Sequence, residues 1–302
     1  MNKLFGYFVL VFGILFFSDA NALDACSKDY SPIASRYNGG VAFVVQKCGG
    51  RPNLLLGTMH SDNPALMQMH EKSLPALKAA QNAVFEIKFD NEAIQTTLAA
   101  MFYNPASGQT LRTEVGDELY NRFMKVVTKP DPMNEYFKPW AAAIMLQYPR
   151  DVADGVELDL KLQNMAKQQG TNIAGLEKVE EQLGIFTSMP KAEQVQSLRD
   201  VLDNYDENLA MQKDMQVAYM AKDLNALYRL IPESLELSSD KEAAKQLMKL
   251  LIDDRNVRMS DRMVKYLDEG NAYIAIGALH LPGNVGVLKL LEDKGYRIEA
   301  LY

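Results

Sequence analysis

The stretch "YIAIGALHLPGNVGVLKLLEDKGYRI", residues 273–298, runs from an apolar segment through a Gly-x-x-His step into an amphipathic helical pattern, then out to a second strand-like segment. A strand, a turn, a helix closing at Gly295 and a further strand make a βαβ unit, the building block of a largely parallel sheet. The stretch also places His280, one of only 3 histidines in 302 residues, directly beyond a buried-type strand. The carboxyl ends of such strands are where open α/β sheets present ligand-binding groups.

A second copy of this grammar lies near the other end of the chain. "LLLGTMH", residues 54–60, again has an apolar strand, a glycine and a histidine three residues after it, so Gly57 and His60 parallel Gly277 and His280. "GVAFVVQKC" at 40–48 and "PNLLLGT" at 52–58 are separated by "GGR" and read as a hairpin. The segment 63–80 has helical spacing at Leu66, Met69, Leu74 and Leu77, with Pro75 placed to break it in two, and "AVFEI" at 83–87 is the next strand. The reading is therefore α/β (α+β mixed): a central, mostly parallel or mixed sheet built from two βαβ-like units at the chain ends, with a large helical middle region. Residues 23–302 are expected to form a single domain, with 91–270 as a mostly helical insertion between its halves. Within the insertion, "TNIAGLE" reads as a strand that rejoins the sheet. Residues 241–270 read as one long amphipathic helix with Ala244, Leu247, Leu251, Val257 and Met263 on its apolar positions and Gly270 as its cap.

The N-terminus has a different purpose. Lys3 followed by "LFGYFVLVFGILFF" and then "ANA" at 20–22 matches a signal peptide with an A-x-A site, cleaved after Ala22. An uncleaved anchor and a lipobox ending at Cys26 are the competing readings. Export to a periplasmic or secreted location would let Cys26 and Cys48 form a disulfide, worth roughly 3 kcal/mol for a loop of about 20 residues. The net charge of -7, without a basic run, argues against nucleic-acid binding. The remaining apolar stretches are too short for a membrane span, so the mature form is expected not to be membrane-spanning.

Two imidazoles that converge at strand ends suit either a transition metal or a general base with an electrostatic partner. Glu86 is the natural third member, because a charge inside "AVFEIKF" is costly to bury without a partner. Its alternative is an outward-facing strand position. Asp62 reads as a helix cap and His70 as a solvated surface residue. Glu157 and Asp159, at the start of a helix, suit the macrodipole. Arg255 and Arg258 pair with their own neighbouring aspartates on a solvated face, or aim a guanidinium at an anion or a carboxylate. The chain has no G-x-S-x-G elbow, P-loop, H-E-x-x-H or G-x-G-x-x-G after a strand.

Taken together, "LLLGTMHSD", "AVFEI", "DGVELDLKLQNMAKQQGTNIAGLEKVEEQL" and "YIAIGALHLPGNVGVLKLLEDKGYRI" resemble the TraB/GumN family, whose animal relatives are the Tiki proteins. The resemblance spans nearly the whole mature chain. It implies an α/β fold with paired G-x-x-H motifs at one site, and a metal-dependent hydrolase of peptidase type acting on a peptide or protein. Carried over, His60 and His280 are the motif histidines and Glu86 the strand acid, the three holding a divalent ion such as Mn, Co or Zn. Glu157 falls on the acidic position of the "GVE" block, as a proton shuttle, and Arg255 on the basic position before the final strand, beside an oxyanion. Gly57, Gly277 and Gly283 are the motif glycines. The pheromone-shutdown members of the family imply a second reading, a non-catalytic exported protein that binds a peptide or signal in the same cleft.

Overall fold

A computed structural model describes residues 39–127, 130–147 and 157–302. The leader at 1–22, its cleavage site and Cys26 lie outside the described residues, and so does the Cys26–Cys48 pairing. The first strands, β1 (Ala42–Gln46) and β2 (Asn53–Thr58), form the expected antiparallel hairpin, with Val44 opposite Leu54. The chain then passes through α1 (Pro64–Met69) and α2 (Leu74–Ala79), split as Pro75 dictates by a short 3-10 turn, into β3 (Asn82–Ile87). The helical middle region contributes α3 (Asn91–Met101), α4 (Leu111–Val126), α5 (Pro139–Gln147), α6 (Leu158–Gln168), β4 (Asn172–Glu177), α7 (Val179–Thr187), α8 (Lys191–Asp203), α9 (Tyr205–Met220), α10 (Leu224–Leu235), α11 (Lys241–Met248) and α12 (Asp254–Glu269). The last unit is β5 (Ala272–Gly277), α13 (Val287–Asp293) and β6 (Arg297–Ala300).

These strands form one six-stranded sheet in the order β4-β3-β5-β2-β1-β6. Pairings β2–β5, β5–β3 and β3–β4 are parallel, whereas β1 is antiparallel to both of its neighbours. The "TNIAGLE" segment does rejoin the sheet, at its edge beside β3. The two end units interleave rather than stand side by side: β5 is inserted between β2 and β3. Its register sets Thr58 opposite Gly277, so the two G-x-x-H steps leave the same edge on adjacent strands. All six residues of β2 are buried, as expected of an inner strand covered on both faces. Asn53 locks this arrangement: its side chain donates to the carbonyls of Val45 and Leu267 and accepts the Ala272 N–H.

Two large apolar cores follow, with a small third cluster of Ile87, Ala93 and Val179. One surrounds the sheet and includes Phe43, Leu55, Phe85, Tyr219, Met259, Tyr273 and Leu291. The other lies among α4, α5 and α8 and includes Phe123, Trp140 and Leu198, with the Trp140 ring stacked on Phe186 at 5.3 Å between centroids.

The long helix expected over 241–270 is interrupted. Lys249–Asp253 is a π turn, which adds a residue to one turn and shifts the phase of everything after it. Val257 is 44% exposed instead of lying in the core, and the inward face of α12 carries Arg255, Asn256, Met259, Met263 and Tyr266. Gly270, with φ 74°, does close the helix.

Three local expectations change as well. The residue that caps α1 is Asn63, whose side chain accepts the Ala65 N–H; Asp62 is instead buried. The cap position belongs to Asn63 because Pro64 must stand at the first helical residue. His70 is fully buried, not solvated, because the chain turns inward where α1 ends. Its hydrogen bonds fix its tautomer. Tyr219 donates its hydroxyl proton to the Gly57 carbonyl at 2.7 Å, so His70 Nε2–H must donate to Tyr219, and His70 Nδ1 accepts from Tyr302. Burial, aided by Lys222 and opposed by Asp159, lowers the His70 pKa to about 4.

The backbones at the two motifs approach closely. A Cβ on Gly57 would lie 2.6 Å from Leu281 Cδ1 and 3.1 Å from Ala278 Cα. Gly57→Ala is therefore expected to destabilise the fold by about 1–3 kcal/mol, the usual range for overpacking, as measured by urea unfolding. His70 yields a pH-dependent prediction. Its folded pKa lies below the unfolded value, so the unfolded chain takes up a proton first and stability falls as pH drops from about 6.5 towards 4. Between pH 7 and 5 this one group should contribute up to about 2 kcal/mol of lost stability. In His70→Gln that part of the slope should vanish, whatever the variant's stability at pH 7.

Candidate active site

The parallel edge formed by β2, β5 and β3 gathers most of the residues singled out in the sequence. His280 closes the 3-10 turn after β5 and is buried, with 4% of its surface exposed. Its Nδ1 lies 2.7 Å from Asn256 Oδ1, while Asn256 Nδ2 donates to the Val285 carbonyl. The amide orientation is thus set by its second bond, and His280 must carry its proton on Nδ1. The lone pair on Nε2 then faces Glu86 Oε1 across 3.7 Å. Burial lowers the His280 pKa to about 4, with Arg255 and His60 adding to the effect against the pull of Glu86 and Glu177. At neutral pH this imidazole is uncharged.

Glu86 is turned into the protein, not outward. Its Oε1 accepts the Gly277 N–H at 2.5 Å, and its Oε2 accepts from Arg255 Nη2 and from Gln182 Nε2. A side chain on Gly277 would crowd this bond, since its Cβ would lie 3.1 Å from Glu86 Oε1. Burial on its own would raise the Glu86 pKa; His280, Arg255, His60 and the Gly277 N–H together hold it at about 2. The carboxylate is ionised throughout the physiological range.

Arg255 does not pair with its own aspartates. It bridges Glu86 and Glu177, with Nε 2.8 Å from Glu177 Oε2, and its Nη1 caps the Leu251 carbonyl in the π turn. Arg258 binds the other oxygen of Glu177 through Nε and Nη2. Both arginines reach inward because α12 packs against β4, whose Glu177 anchors them both. The guanidinium expected beside an oxyanion is thus engaged by two carboxylates. Glu177 escaped the sequence reading, although the argument used for Glu86, an acid at the end of an apolar strand, applies equally to "NIAGLE". The pairing of Ile87 with Glu177 shows that the two acids leave neighbouring strands almost level.

His60, two residues beyond β2, is half-exposed, with Nδ1 3.3 Å from Asp159 Oδ2 and 3.9 Å from Glu157 Oε2. The start of α6 is fastened to the His60 loop by the Leu158 N–H to the Ser61 carbonyl. Glu157 is solvent-exposed at the helix N-cap. Asp159, expected beside it as a dipole acid, is buried and accepts the Thr58 hydroxyl proton at 2.7 Å. Gly283 has φ 95°, and the Tyr228 ring covers the place its side chain would fill. Among the described residues no three ligand-type side chains are already gathered as a metal set.

Removing Arg255 would leave Glu86 and Glu177 as buried charges with one cation fewer. Arg255→Leu is expected to cost about 3–5 kcal/mol in urea unfolding, the range for breaking a buried pair. Arg255→Lys should recover only part of it, because an ammonium cannot bridge two carboxylates as a planar fork does.

Neither a curated protein nor a solved structure matches the chain. A family model does: that of the TraB/PrgY/gumN family matches residues 42–300. This span covers all six strands and both histidine motifs. The chain belongs to the TraB/PrgY/gumN family.

Proposed function

We propose that this protein is an exported metal-dependent hydrolase that cuts amide bonds in a peptide or protein, with His60, His280 and Glu86 at its centre. The observation that carries the reading is the apposition of His280 Nε2, held as a lone pair, and an ionised Glu86 oxygen across 3.7 Å. Two acceptors facing each other in a buried site repel unless a cation or a proton donor lies between them. The donor chemistry fits one: two ligands of a tetrahedral ion with bonds of about 2.1 Å stand about 3.4 Å apart. Imidazole nitrogen with carboxylate oxygen suits Zn, Mn or Co.

In this reading His280, after β5, and Glu86, on β3, would hold the ion, and His60, after β2, would complete the set. The ion's contribution is Lewis acidity, which acidifies water and polarises a carbonyl. The chain's own residues do the rest. Arg255 and Gln182 fix one Glu86 oxygen and leave the other directed at His280, so Arg255 acts as a positioning residue. The Gly277 N–H holds the second oxygen in line. Glu157, exposed beside His60, exchanges protons with solvent and would return one to the leaving amine. Export rests on the N-terminal leader, and the Cys26–Cys48 disulfide would tie the mature N-terminus to the hairpin.

Elemental analysis of the mature protein, together with peptide cleavage with and without chelator, tests the proposal. We expect bound divalent metal, cleavage that chelator abolishes and added metal restores, and a loss of at least 100-fold in the His60→Ala, His280→Ala double variant. Unaltered cleavage by the double variant would overturn the assignment. A peptide that is captured and returned intact would favour the binding reading over hydrolysis.

A further inference from the structure

We infer that Asp159 is a positioning residue that holds His60 in the tautomer protonated on Nδ1, so that both site histidines present Nε2 lone pairs to the cleft. Asp159 is a buried carboxylate, 7% exposed, whose Oδ1 accepts the hydroxyl proton of the equally buried Thr58 at 2.7 Å. Its Oδ2 is also buried and has no hydrogen-bond donor among the described residues. His60 Nδ1 lies 3.3 Å from that oxygen. A buried carboxylate oxygen left without a donor is costly, and a small rotation of the imidazole supplies one. Catalytic hydrogen bonds are often long or poorly aligned before substrate binds, which agrees with this spacing.

The geometry has an internal parallel. Asn256 fixes His280 by accepting its Nδ1–H, and Asn256 is itself fixed by the Val285 carbonyl. Asp159 stands in the same relation to His60, and Thr58 is its second support. Thr58 also lies two residues before His60 on β2, opposite Gly277 of β5, so both orienting groups work from the shared strand edge. Orientation of a histidine by a carboxylate on its far nitrogen fixes the ring and raises the basicity of the near one.

With only His60, His70 and His280 in the chain, nitrogen-15 NMR of the full mature protein can assign every imidazole. At about pH 8, well above the ordinary imidazole pKa, wild-type His60 should carry its proton on Nδ1. In Asp159→Asn the amide NH2 replaces Oδ2 and donates to Nδ1, so His60 should switch to the Nε2–H tautomer. Thr58→Val, which keeps the carboxylate, should leave the tautomer in place. Wild-type His60 protonated on Nε2, or an unchanged tautomer in a folded Asp159→Asn variant, would overturn the inference. If the Asparagine variant does not fold, the wild-type spectrum alone decides. The kinetic arm rests on the hydrolase reading: Asp159→Asn should lower kcat by roughly 10–100-fold with little change in KM. A tautomer switch in a protein that cleaves no peptide would sustain this inference and sink the hydrolase reading, so the two failures are distinguishable.

Discussion

The parallel pairing of β2 with β5 is the constraint on which the site depends. It joins residues more than 200 positions apart and aligns them so that Thr58 faces Gly277. Nothing local to either histidine could achieve this, because each motif alone ends in an ordinary turn. Gly57 permits the approach: the turn bearing His280 packs directly against its Cα, where any side chain would collide with Leu281. The cleft is thus a property of the sheet register, and its precision is inherited from the ladder of hydrogen bonds behind it.

A second layer of organisation is electrostatic. Glu86 and Glu177 leave adjacent strands, Arg255 spans them, and Arg258 covers the far side of Glu177. Burial raises the cost of each charge, yet every carboxylate oxygen in this group has a donor. Such a network stabilises little in total relative to an apolar core, but it holds one carboxylate at a defined angle. The helical middle region therefore does more than lengthen the chain: β4 and α12 deliver Glu177 and the two arginines, of which Arg255 orients Glu86.

Much of this was legible in the sequence. The hairpin, both βαβ segments, the returning strand and the paired histidines follow from apolar runs, turn residues and the repeated G-x-x-H step. The inward Glu86 followed from a charge inside an apolar strand. The misreadings share a cause. Each of His70, Asp159 and Arg258 has a local feature that suits a surface role: Glu71 and Lys72 beside His70, a helix start at Asp159 and nearby aspartates for Arg258. Each is nevertheless brought inward by a partner remote in sequence: Tyr219 for His70, Thr58 for Asp159 and Glu177 for Arg258. The apolar character of Val257 likewise suggests the core although it stands off the stripe of Met259 and Met263, and Asn256 gives no signal at all.

The π turn at Lys249–Asp253 gives chain length itself a role. Each residue of an α-helix advances the side-chain direction by about 100°. One residue fewer in that turn would let it close as an ordinary α-turn between the same two flanks, so that Arg255, Asn256 and Arg258 would keep their side of the sheet. A single-codon deletion is thus absorbed at the π turn, whereas the same deletion in a regular turn of α12 would rotate the residues beyond it by about 100° and break their contacts.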